Sequence, residues 1–271
     1  MTELKCIIKK DVREILRTGK IILFLALAFG IGMMVMLFTL IFSNIPDSLT
    51  SELPGIDIQS LERMMGTLYP KELKMNLGVF SYYIGFFYSL VTIIVAHSVL
   101  PRELTEGKWI IPLEKGYRVQ DIIISKCLTY GTFAGTSVFL SYLVYYGIAN
   151  TFMLHDMTFG NAFMCALIHG LNIFFILVYT LLLSVYFKAP IISAISMIGT
   201  VVFVPDLLNY FTFAKYLPTY SLNFVYESRD DYINAFFPIL FNIFLIVVTY
   251  FLTIMKVEKR ISCSASVIDK V

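Results

Sequence analysis

Two groups of residues in this chain could carry chemistry, and they point to different kinds of work. Glu103 and Glu106 precede Gly107-Lys108, the apolar run Trp109-Ile110-Ile111, Pro112-Leu113, and then Glu114, Lys115, Arg118 and Asp121. A short helix with an apolar patch inside a ring of charges suits docking into a groove on a partner protein. The same pattern fits a helix lying on a lipid surface, with Trp109 as its interfacial anchor. The second group is His97 and His169, which fall inside long apolar runs. Nucleophilic chemistry would require Ser137 to meet His169. Gly135-Thr136-Ser137 lacks a following Gly, and small residues in apolar helices more often serve helix packing. An interhelical hydrogen bond is therefore the expected role of His169, beside Gly170 and Asn172.

Other catalytic patterns are missing from the sequence. It has no HExxH of a metalloprotease and no GxxxxGK[ST] phosphate loop. No metal site is expected. The six long apolar runs contain no Asp, Glu, Lys or Arg. Charges inside a bilayer are retained where function needs them, so coupling to an ion gradient is not expected.

These residues must be held by membrane helices. The chain has 271 residues, 58% of them hydrophobic. The excess falls in blocks at about 21–42, 77–100, 127–149, 163–187, 190–204 and 236–255. Most reach the ~20 residues that a helix needs to cross a bilayer; the fifth is short. The runs are continuous rather than alternating, so helices and not a barrel are implied. The first run reads as a retained span rather than a cleaved signal peptide. The expected fold is an all-α polytopic membrane protein with six transmembrane helices.

Charge orients this layout. Cutting at the apolar runs leaves 16 of the 21 Lys and Arg residues on the side that holds both termini. Positive charge stays on the cytoplasmic side, so both termini are expected inside. Residues 3–18 place Leu4, Ile7, Ile8, Ile15 and Leu16 at helical spacing, with Lys9, Lys10, Arg13 and Arg17 on the remaining faces. This is a basic amphipathic helix expected to lie in the inner interface, with Gly19 ending it. The four cysteines show no CxxC spacing, and no disulfide framework is expected. The last outer loop, from Pro205 to Asn234, is apolar and aromatic, and Pro218 breaks it further. Re-entrant helices there, or a fifth span continuing past Pro205, both fit.

Glu103-x-x-Glu106-Gly107-Lys108, Pro112-Leu113 and Asp121-Ile122-Ile123-x-x-Lys126 together resemble the inner-loop signature of ABC-2-type transporter permeases. Lys108 stands where that signature usually has Thr, and Ser125 where it has Gly. The amphipathic helix, six spans, inside termini and Pro-broken outer loop around Tyr216-Leu217-Pro218 are similar to that family as well. The resemblance covers about residues 3 to 260, a single transmembrane domain followed by a cytoplasmic tail at 261–271.

The resemblance implies the membrane subunit of a bacterial ATP-driven exporter. The chain would not be an enzyme and would bind no cofactor; ATP and Mg2+ would sit on two partner ATP-binding subunits. It would pair with a second copy or a related permease. A cytoplasmic coupling helix between spans 2 and 3 would meet the ATPase through Glu103, Glu106, Gly107, Lys108, Trp109, Ile111, Pro112 and Arg118. Span 2 would line the pathway with Phe80, Tyr83, Phe87, Tyr88, Ser89 and Thr92. Such a lining suits an amphipathic or hydrophobic cargo, with a peptide toxin or antimicrobial peptide favoured. A membrane sensor and an intramembrane enzyme using His169 are the alternatives.

Overall fold

The computed structural model describes residues 2–43, 72–154, 156–187, 190–208 and 233–268, and the chain there is all-helical. The helices are α1 (Thr2–Arg17), α2 (Lys20–Ser43), α3 (Leu73–Tyr83), α4 (Ser89–Ala96), α5 (Val99–Thr105), α6 (Ile110–Glu114), α7 (Val119–Phe152), α8 (Phe159–Ser184), α9 (Pro190–Leu208) and α10 (Ile233–Ile268). One turn of π-helix, Ile84–Tyr88, joins α3 to α4 without breaking the rod. Residues 44–71 lie outside the described residues, as does Tyr216-Leu217-Pro218.

Five stretches among the described residues are long and apolar enough to cross a membrane: Lys20–Ile41, Leu73–Thr105, Val119–Phe152, Phe159–Ser184 and Phe236–Lys259. The architecture is compatible with a multi-pass membrane protein. The fifth expected span is the exception, because its apolar stretch Pro190–Val201 is shorter than the rest. Its helix nevertheless runs through Pro205 to Leu208, so α9 continues past that proline. A proline in the last turns removes one backbone donor but need not end a helix whose neighbours hold it. The last helix likewise continues beyond its apolar part to Ile268, through residues read as tail.

The long apolar helices also reach further than the apolar runs. At 1.5 Å per residue α7 is about 51 Å long, well over the ~30 Å of hydrocarbon. Its first turns carry Asp121 and Lys126, which precede the charge-free apolar run 127–149. Hydropathy finds the hydrocarbon-sized part of a helix, not its ends.

The core is built on α8, which packs against α7, α4, α9 and α10. In its most apolar window 72% of residues are buried, against 28% for α2 and 22% for α10. Ile22, Met33, Leu37 and Ile41 of α2 face outward, as do Phe236, Phe244, Phe251 and Met255 of α10. Apolar surface on this scale belongs against lipid or another apolar partner.

At the α7–α8 crossing the two backbones nearly touch. A Cβ on Gly135 would come within 2.6 Å of the Gly170 carbonyl oxygen, and one on Gly170 within 2.9 Å of the Gly135 oxygen. Gly131 and Gly135 form a G-x-x-x-G step, the spacing that lets membrane helices approach closely.

Buried polar groups along the bundle are neutral and mostly paired. Asn76 Nδ2 donates to Thr39 Oγ1 at 2.9 Å, and the Tyr145 hydroxyl donates to Asn76 Oδ1. Tyr88 donates to the Ala134 carbonyl at 3.1 Å and Ser141 to the Ala28 carbonyl at 2.8 Å. Together these tie α2, α3, the π turn and α7 without burying a net charge. Where α7 meets α8, Thr158 caps α8 by accepting from the Asn161 amide.

Candidate functional site: a buried lysine and the segment it holds

The basic end of the bundle is organised around Lys126. Its side chain is 1% exposed, although it stands near the start of a spanning helix. The ammonium lies 2.9 Å from Asp11 Oδ1, 3.2 Å from Glu14 Oε2 and 2.6 Å from Glu103 Oε1. The ammonium donates to Glu14 and Glu103, while Asp11 Oδ1 meets it as an ion pair without a hydrogen bond. The second oxygens are also used. Ser125 Oγ donates to Asp11 Oδ2 at 2.5 Å, and Trp109 Nε1 donates to Glu103 Oε2 at 3.1 Å. Lys20 joins the edge of the cluster, donating to the Tyr130 hydroxyl at 2.9 Å.

Three separate pieces of chain meet in this cluster. Asp11 and Glu14 come from α1, Glu103 from α5 and Lys126 from α7. α1 is therefore docked against α7 and α2 rather than only resting at an interface. Ile7, Asp11 and Ile15, one turn apart, form its buried stripe, while Leu4 and Ile8 are half-buried and Leu16 is exposed. Glu14 is half-buried. Burial works against its ionisation, but the Lys126 charge and hydrogen bond prevail and hold its carboxyl below the usual range.

Glycine chemistry shapes the segment between α5 and α7. Gly107 has φ +67°; its amide donates to the Leu104 carbonyl, and the Lys108 amide donates to Glu103. Gly116 has φ +84°; its amide donates to Leu113, and the Tyr117 amide donates to Pro112. Both are Schellman caps, in which the left-handed residue is best supplied by Gly. Two successive caps fold 99–117 into helix, reversal, short helix, reversal. The first puts the Glu103 carboxylate and the Trp109 indole side by side.

The residues expected to couple to an ATPase divide by exposure. Glu103 and Trp109 are buried within the chain, tied to each other and to Lys126. Glu106, Lys108, Ile111 and Arg118 are exposed, while Gly107 and Pro112 are half-buried. Glu106 bridges Arg102 at 2.5 Å and Lys108 at 2.8 Å. The hydrogen bond from Lys108, then that from Arg102, holds the Glu106 carboxyl below the usual range, and Glu106 in turn raises Lys108. Ile110 and Ile111 are 57% and 62% exposed, so the short helix presents an apolar pair beside an ion triad.

The span 2 residues expected to line a pathway lie on different faces. Phe80, Tyr88, Ser89 and Thr92 are buried inside the chain. Phe80 stacks on Tyr145 with ring centroids 4.2 Å apart. Tyr83 and Phe87 face outward enough to stack on each other at 6.1 Å. The π turn between them changes the register, so the aromatic run does not form one stripe.

His169 does not make the expected interhelical hydrogen bond. Both ring nitrogens are buried without a partner, and the ring meets Tyr142 edge-on at 6.4 Å. Ser137 donates to the Phe133 carbonyl at 2.7 Å, and no hydrogen bond joins it to His169. Among the described residues no cluster of His, Cys, Asp or Glu is arranged to hold a metal, and Cys6, Cys127 and Cys165 are not joined in disulfides.

Sequence reasoning missed Asp11, Glu14 and the burial of Lys126. The signal for Asp11 is its place in the apolar Ile7–Ile15 stripe, where a carboxylate needs a buried cation. Comparison with protein-family models, curated proteins and solved structures finds no match to this chain.

Proposed function

We propose that the chain is the membrane subunit of an ATP-driven exporter of the ABC-2 type. In this reading α9 completes six spans, and the basic end faces the cytoplasm of a bacterial cell. Two copies, or this chain and a related one, surround the pathway. Two ATP-binding subunits dock beneath them. The cargo is amphipathic or hydrophobic, with a peptide favoured.

The observation that carries this reading is the shared anchorage of α1 and 99–118 on Lys126. Force applied to the exposed short helix would not be lost in a loose loop. It would pass through Glu103 into α7, and through Asp11 and Glu14 into α1. The docking surface is then the exposed side of this segment: Ile110, Ile111, Arg118 and the Arg102–Glu106–Lys108 triad. Glu103, Gly107, Trp109 and Pro112 set its shape from beneath.

The test is purification from native membranes with mass spectrometry of what accompanies the chain. An ATP-binding-cassette protein is expected with the unaltered chain. It should be lost from the Ile110→Asp/Ile111→Asp and Glu106→Arg variants, whose substitutions lie on the surface. Undiminished co-purification and ATP-dependent transport in both variants would rule out the assignment.

A further inference from the structure

Between α1 and the short helix α6 lies a groove of about 530 Å³. Its floor is apolar, made by Ile7, Trp109, Pro112 and Ile122. Its cations are Lys10, Lys108 and Lys115. Two carboxylates also border it, Asp11 and Glu14, but both are held by Lys126, and Asp11 is fully buried. Lys108 is paired with Glu106. Lys10 and Lys115 are exposed and have no ion-pair partner among the described residues. Lys10 also acts on Glu14 at longer range, so the groove offers a surplus of positive charge above a hydrocarbon-like floor. It lies at the end of the bundle where the apolar helix α2 begins with Lys20.

We infer that this groove holds an anionic phospholipid, its phosphate at Lys10 and Lys115 and its upper acyl chain along the apolar floor. A soluble phosphate would leave the floor uncovered. A zwitterionic headgroup would bring its own cation to the lysines. The bound lipid would cover the seam between α1 and the short helix. It would thereby link the anionic lipid content of the membrane to the position of the segment. The inference does not depend on which protein docks on Ile110 and Ile111.

Trp109 lies in the groove and is the only tryptophan in the chain, so its fluorescence reports occupancy. The full chain is placed in phosphatidylcholine nanodiscs that contain a minor fraction of brominated lipid. Brominated phosphatidylglycerol is expected to quench Trp109 more strongly than brominated phosphatidylcholine. Each lysine near a headgroup is worth about fivefold in apparent affinity. Lys10→Gln/Lys115→Gln should therefore weaken the anionic lipid about 25-fold, to parity with phosphatidylcholine. Lys10→Arg/Lys115→Arg should keep the preference. Equal quenching by the two lipids in the unaltered chain would overturn the inference, as would an undiminished preference in the Gln variant. Reversal of the quenching by inorganic phosphate alone would assign the site to a soluble anion and also overturn it.

Discussion

Glu103 and Glu106 stand three residues apart on the same turn of chain, yet they live in different worlds. Glu103 is buried, with one oxygen on Lys126 and the other on the Trp109 indole. Glu106 is exposed, between Arg102 and Lys108. Both have cationic partners at hydrogen-bond distance, so the count of ion pairs does not separate them. Burial does. Water can replace any partner of Glu106, but not the Lys126–Asp11 or Lys126–Glu103 contact. The first arrangement fixes where three helices meet, whereas the second decorates a surface that another molecule can use.

Lys126→Met should have the largest effect. It leaves Asp11 and Glu103 buried without their cation, a loss of about 3–5 kcal/mol for a broken buried pair. Thermal unfolding in detergent should fall accordingly. Replacing the carboxylates as well, in Asp11→Leu/Glu103→Leu/Lys126→Met, should recover much of that stability, because no buried charge is then stranded.

Gly135→Val comes next. The new side chain would meet the Gly170 backbone, which cannot swing aside, and overpacking of this kind costs about 1–3 kcal/mol or more. The same melting measurement should show it, with no change in α1 docking. Trp109→Phe should be milder. It keeps most of the packing but leaves Glu103 Oε2 without its donor, a loss of about 1–3 kcal/mol.

Acid gives a graded test of the same contrast. The Glu14 carboxyl titrates lower in the folded chain than its ordinary value of 4.5. Its contribution is therefore complete above that value and is lost as pH falls through the depressed one. Thermal stability in detergent should fall only in that acidic window. Glu14→Gln should remove this step. The smallest effect is expected for Arg102→Ala, whose partner Glu106 is solvated and keeps Lys108; melting should not change measurably.

Much of this contrast could be read in the sequence, and the unread part has a physical reason. Apolar length located five span-length helices, and the 3.6-residue period of Ile7, Ile8 and Ile15 located α1. Gly107 and Gly116 flanking a short apolar run already signal two helix ends. Hydropathy failed at helix ends, where α7 and α10 carry charges beyond the hydrocarbon-sized part. It could not show that Lys126 turns inward, because Asp11 and Glu14 are more than a hundred positions away in the chain. Nor could it show the π turn, which has no periodicity of its own and which splits the Phe80–Thr92 aromatics between faces.

The central claim is that α1 and the 99–118 segment are held as one unit by Lys126. Amide hydrogen exchange on the full chain tests it most directly, comparing Lys126→Met with Arg102→Ala. The account predicts that Lys126→Met lowers protection in α1 and in 99–118 together, that the α7–α8 crossing at Gly135 and Gly170 stays protected, and that Arg102→Ala changes neither. Loss in only one of the two segments, or unchanged protection in both, would contradict it.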